Sequence, residues 1–163
     1  MTLRHGILKK MIPAFIAMVG ISACEQRATV YEYRSLSPDG WEPCDTFLFP
    51  IDSLAQGDTY LLSLQLRTST TTPFPYQTLW LEVAQQWESP LLSRVDTVAC
   101  RLATDEGYPC GVGVSLYQYE FPFDTLTLQQ GARGYIGLRH IMSSKLLRGV
   151  SEVGICLEPQ ALP

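Results

Sequence analysis

Alternation of apolar and polar residues at a period of two recurs along this chain, and it constrains the fold more than any other feature. The segment "TYLLSLQLRTS" sets Tyr60, Leu62, Leu64 and Leu66 on one side and Ser63, Gln65 and Arg67 on the other. Successive β side chains point to opposite faces, so this is the signature of a strand with one buried face. "YQTLWLEVAQQ" sets Leu79, Leu81 and Val83 against Trp80 and Glu82. "YIGLRHIMS" places Ile136, Leu138, His140 and Met142 opposite Tyr135, Arg139 and Ile141. "SEVGICLE" places Val153, Ile155 and Leu157 opposite Glu152, Gly154 and Cys156. Shorter runs at 28–34, 46–50, 97–103, 115–121 and 125–129 also read as strands. Turn formers separate them: "SPDGWEP", "LAQGD", "TTTPFP", "TDEGYPCG" and "QQGARG". About eight or nine strands without a long helical pattern predict an all-β chain, a two-sheet antiparallel β-sandwich of jelly-roll or immunoglobulin-like type. The dipeptide Asp-Thr occurs at Asp45, Asp58, Asp96 and Asp124, and reads as a turn-ending Asp before a β-branched strand opener.

The start of the chain follows another rule. From Met11 to Ile21 it is mostly apolar, a run that would rise only about 16 Å as a helix against a hydrocarbon core of about 30 Å. Arg4, Lys9 and Lys10 precede the run, and Gly20, Ser22 and Ala23 close it. These are the parts of a secretory signal, too short for a membrane span. Within it, Ile21-Ser22-Ala23-Cys24 resembles the lipobox of bacterial lipoproteins, in which the cysteine receives diacylglycerol and becomes the first mature residue. The plainer alternative is ordinary cleavage, with Cys24 an incidental thiol. The expected organisation is a signal peptide over 1–23, a lipidated tether over 24–29 and one sandwich domain over 30–163.

Charge narrows the partners. The first 23 residues hold three of the twelve Lys+Arg and none of the sixteen Asp+Glu, leaving nine against sixteen, a net of −7. That balance argues against nucleic acid, which needs a basic footprint. Four cysteines follow Cys24: Cys44, Cys100, Cys110 and Cys156. In an exported protein an even count suggests two bridges. Cys100–Cys110 closes a short loop and leaves Cys44–Cys156; buried free thiols are the alternative. There is no CxxC, and the only histidine after Cys24 is His140, so no metal site is expected.

Catalytic motifs are hard to find. His140 lies on the apolar face of its strand, where a hydrogen-bonded core histidine is the expected reading. "GVSEVG" around Ser151 has one residue too many for a nucleophile elbow. "GVGVSL" from Gly111 lacks the third glycine of a dinucleotide loop. Asp105-Glu106 is an acidic pair without calcium-loop spacing. Trp41, Trp80 and Trp87 with eight tyrosines would suit either a sugar platform or cross-strand packing. The chain contains no asparagine, a residue favoured in polar ligand recognition.

Several segments together resemble one family, the GldH-type gliding-motility lipoproteins. They are the lipobox cysteine, "VYEYRSLSPDGW", "DTFLFPI", "PFPYQTLWLEV", "DTVACRLATDEGYPCGVGVSLYQYEFPF" and "LRHIMSSKLLRGVSEVGICLEP". The last carries Met142, Leu147, Gly149, Val150, Val153, Gly154 and Leu157 in the family's order. Cys44, Cys110 and Cys156 depart from the family pattern, and Cys100 matches it loosely. The resemblance implies a non-enzymatic, lipid-anchored accessory of gliding motility and the type IX secretion apparatus. It would sit in the outer membrane on the periplasmic side. Its partners would be other envelope proteins, with no cofactor and no small-molecule substrate. A carbohydrate-binding or hydrolytic sandwich module is the competing class. A docking protein should show an exposed apolar patch or open sheet edge, and a sugar site an aromatic platform beside a carboxylate pair.

Overall fold

The alternating segments pair into two sheets. A computed structural model describes residues 30–160, which contain eight strands and no helix. The strands are β1 (Val30–Ser35), β2 (Phe47–Ile51), β3 (Asp58–Ser69), β4 (Thr78–Glu88), β5 (Leu91–Arg101), β6 (Leu116–Leu128), β7 (Gly134–His140) and β8 (Val150–Pro159). Sheet A has the order β1-β8-β3-β6 and sheet B the order β2-β7-β4-β5, with every pairing antiparallel. Of the two architectures the sequence allowed, this order is the jelly roll. Among the described residues no helix is long and apolar enough to cross a membrane.

The facing sides are the alternating apolar positions. Sheet A contributes Tyr60, Leu62, Leu64, Leu66, Val153, Ile155 and Leu157, each with no measurable exposure. Sheet B contributes Phe49, Leu79, Leu81, Val83, Trp87, Ile136 and Leu138, equally buried. Each such side chain is worth about 1.5–3 kcal/mol on removal from water. Trp41 closes one end. Its backbone exchanges two 2.8 Å hydrogen bonds with Leu147, its indole N–H donates to the Asp45 carbonyl at 2.9 Å, and its ring meets His140 edge-on at 5.2 Å.

The open sides of the sandwich carry inward-facing charges. Glu32 and Arg34 on β1 pair with Ile155 and Val153, so they face the core side; they bridge each other at 2.6 Å, with Arg34 over the Phe49 ring. On the opposite side, Arg94 and Asp96 of β5 and Asp124 of β6 face inward by the same register logic. Arg94 bonds both carboxylates, and the buried Gln85 amide donates to Asp124 at 2.9 Å. Inward charges are a known means of discouraging indiscriminate pairing at sheet edges.

These charges also account for the departures from the sequence reading. The run expected at 97–103 is the end of a strand that begins at Leu91, and the runs at 115–121 and 125–129 are one strand, β6. Arg94, Asp96 and Asp124 sit at inward positions and interrupt the alternation. Two of the four Asp-Thr pairs fall where strands begin: Asp58 opens β3 and accepts the Thr59 N–H, and Asp45 precedes β2. Asp96-Thr97 and Asp124-Thr125 lie inside strands instead, which corrects the turn reading for those two.

Candidate functional site

His140 is placed on the apolar face as its position in the alternation required. It is buried, its Nδ1 accepts the Met142 N–H at 3.3 Å, and its Nε2 lies 3.0 Å from the Trp41 carbonyl. An acceptor role at Nδ1 puts the proton on Nε2, which donates to that carbonyl. Burial lowers its pKa below the ordinary histidine value. Both nitrogens are engaged with backbone, so the ring ties the loop holding Trp41 to β7 and is closed to substrate.

The four cysteines Cys44, Cys100, Cys110 and Cys156 stand apart as free thiols in this structure. Cys100 on β5 points between the sheets, whereas Cys110 is exposed in the β5–β6 loop, so the short-loop bridge does not form. Cys156 is buried on the outer side of sheet A, far in topology from exposed Cys44 on the β1–β2 loop. Burial pushes the Cys100 and Cys156 thiols up to about 12. Cys44 Sγ lies 3.6 Å from a Glu42 carboxylate oxygen, a contact that raises its pKa. Glu42, Cys44 and Asp45 are the one candidate metal-ligand cluster among the described residues, and all three are exposed. Cys24 lies outside the described residues. Asp105 pairs with Arg101 at 2.7 Å, and Gly111 packs against the Tyr119 ring.

Three hollows on the surface differ in how they combine aromatics and carboxylates. A cleft of about 290 Å³ at one end of the sandwich is lined by Phe74, Tyr76, Tyr117 and Tyr119 and contains no carboxylate. An adjoining hollow of about 620 Å³ has one, Glu120. A third, of about 430 Å³, brings Asp52 and Glu88 beside Tyr135, but Arg133 shares it and Tyr135 is its only aromatic.

The outer faces of the two sheets differ. On sheet A, Tyr33 lies over Gly154, Arg67 stacks on Tyr33 at 4.1 Å and bridges Glu152 at 2.6 Å, and Tyr31 meets Tyr33 edge-on. This is a closed polar network. On sheet B, Leu48, Gly137, Ala84 and Val95 stand opposite one another across β2, β7, β4 and β5. They form one apolar row, with Leu48 54% and Val95 61% exposed at its ends and Ala84 half-buried and Gly137 buried between them. Trp80, 45% exposed, stands two rows away beside Ala99. The charges between them, Glu82 and Arg139, are joined by two bonds of 2.6 and 2.7 Å. The sequence reading placed Trp80 outward correctly, but the row was not visible. Its four members come from four segments, and only the register aligns them.

The chain is a jelly roll whose sheet B joins its outward Glu82 and Arg139 to each other and exposes Leu48, Val95 and Trp80. The family model of the GldH lipoprotein matches residues 28–157, and the chain belongs to that family. It is therefore a gliding-motility-associated lipoprotein by family, associated with the cell envelope through a lipid anchor. No curated protein matches the chain.

Proposed function

We propose that this protein is a non-enzymatic accessory of the gliding motility and type IX secretion machinery. In this reading it is held by lipid on Cys24, in the outer membrane facing the periplasm, and contacts another envelope protein through the outer face of sheet B. The observation that carries the reading is the apolar row Leu48–Gly137–Ala84–Val95 with Trp80 nearby and no unpaired charge converging on it. Such a surface suits a flat protein partner better than a sugar or a reacting small molecule. Exposed aromatic and aliphatic side chains of this kind dominate the energetics of protein contacts.

The test is crosslinking in cells followed by affinity purification from solubilised membranes, comparing the wild type with Leu48→Glu and Trp80→Glu. A specific envelope partner recovered with the wild type and lost with either variant is the expected result, with lipidation and fold unchanged. Recovery of the same partners with both variants overturns the assignment of the face. Glycan binding by the purified protein, abolished by Asp52→Ala or Glu88→Ala, would replace this reading with the carbohydrate class.

A further inference from the structure

Sheet B ends in an open edge. Strand β5 pairs with β4 alone, and its eleven residues contain no proline and no bulge. Its other backbone edge has no strand beside it among the described residues. An unpaired edge of this length is a template for another strand. We propose that its occupant is β5 of a second copy of this chain, joined antiparallel about a two-fold axis at Val95, so that sheet B continues through both molecules.

The sequence of β5 selects that register. Around an axis at Val95, Arg94 stands opposite Asp96 of the second copy, and Asp96 opposite its Arg94. Ser93 meets Thr97, Leu92 meets Val98, Leu91 meets Ala99, and Val95 meets itself. Every cross-strand pair matches in kind: opposite charge, hydroxyl with hydroxyl, apolar with apolar. Such pairs are the unit of sheet stabilisation, and like charges placed opposite oppose pairing. Shifting the axis by one residue sets Arg94 against Arg94, or Asp96 against Asp96. The charges that discourage arbitrary edge pairing therefore favour this arrangement over its nearest shifts and make it the register with two opposite-charge pairs. They are reachable, since the Arg94 and Asp96 side chains remain 38% and 35% exposed.

Two consequences fit the rest of the molecule. The apolar row would run unbroken from Leu48 of one copy to Leu48 of the second, doubling the face that sheet B presents. A two-fold axis normal to the sheets also leaves both sheet A layers on the same side. Strand β1, the first described element, belongs to sheet A in each copy. Two anchored copies can thus pair within one membrane, as an isologous dimer requires.

The experiment uses the full chain purified from membranes in detergent, with Cys44 and Cys110 replaced by Ser. Under mild oxidation, Val95→Cys should form a disulfide-linked pair. Ser93→Cys and Thr97→Cys should each remain unlinked alone and crosslink when mixed. Independently, Arg94→Asp and Asp96→Arg should each weaken self-association at least about tenfold by light scattering, about the effect of exchanging two attractive cross-strand pairs for two repulsive ones. Mixing the two should restore association, because the copies then present complementary charges. A Val95→Cys chain that stays unlinked overturns the proposal. So does self-crosslinking of Ser93→Cys as strong as that of Val95→Cys, or single charge reversals that associate like the wild type. The cysteine series stands even if a reversal at Arg94, which also bonds Asp124, prevents folding.

Discussion

At the scale of single residues, burial decides chemistry more than identity does. His140 is the only histidine after Cys24, so no other imidazole titrates among the described residues. Burial holds its folded pKa below the ordinary value of about 6.5. The unfolded chain then binds the proton first, and stability rises with pH wherever the unfolded state binds more protons. The contribution of His140 is complete above about pH 6.5 and declines as pH falls toward the depressed folded value. Denaturant unfolding of the mature protein should show this decline, and His140→Gln should remove it while costing some stability at pH 8. An unchanged slope in the variant would refute the assignment. The thiols give a second prediction. Cys100 and Cys156 are buried and held protonated, whereas Cys44 and Cys110 are exposed. Thiolates are the reactive form, so native alkylation should label two of these four cysteines and denatured alkylation all four. A denatured count of zero or two, by mass spectrometry without reductant, would restore one or both of the bridges expected from the sequence. Glu42→Gln should speed alkylation of Cys44, because the Glu42 contact is the main cause of its raised pKa.

At the scale of elements, each sheet uses one glycine to seat its edge strand. In sheet A, Tyr33 of β1 lies across Gly154 of β8; a Cβ there would sit 2.4 Å from the Glu32 carbonyl oxygen and 2.9 Å from the Tyr33 ring. In sheet B, Leu48 of β2 lies across Gly137 of β7, where a Cβ would come no closer than 3.3 Å to the Leu48 side chain. The first contact is with backbone and the second with a flexible chain end. Gly154→Ala should therefore cost about 1–3 kcal/mol, typical of overpacking, and hydrogen exchange should show β1 loosening first. Gly137→Ala should cost under about 1 kcal/mol, because the flexible Leu48 chain end it meets can shift by a few tenths of an ångström. Equal costs would contradict the difference in seating. Edge strands also explain what the sequence revealed and what it hid. The centres of β3, β4, β7 and β8 alternate because each packs between neighbours over an apolar layer, and their inward sets were legible, whereas the burial of Ser63, Gln65 and Cys156 on the outer side of sheet A was not. Strands β5 and β6 were cut short or split because Arg94, Asp96 and Asp124 face inward at the open side, where water still reaches them. A rule that reads charge as outward fails there on physical grounds. The candidate surface was half legible for a related reason: exposure of Trp80 follows from local alternation, but the Leu48–Val95 row depends on register between distant segments.

At the scale of the whole molecule, position relative to the membrane joins fold to function. Only six residue steps separate Cys24 from Val30, where β1 begins. Fully extended they reach about 20 Å. With lipid on Cys24, the domain stays within about that reach of the bilayer, and the outer face of sheet B is carried at a height set by the tether. A partner that is itself embedded in the membrane can project to that height, and neither molecule needs to search a large volume. Inserting about 20 Gly/Ser residues after Gln26 adds a root-mean-square reach of about 25 Å and releases the height and tilt of the face. The local concentration of sheet B at the partner should then fall. We predict that the insertion leaves lipidation, fold and β5 pairing intact but reduces motility or secretion and the yield of crosslinked partner. Shortening the insert stepwise should restore both in parallel. A long-tethered protein that supports full function and recovers the same partner at wild-type yield would show that the face is read at any height, and proximity to the membrane would drop out of the mechanism.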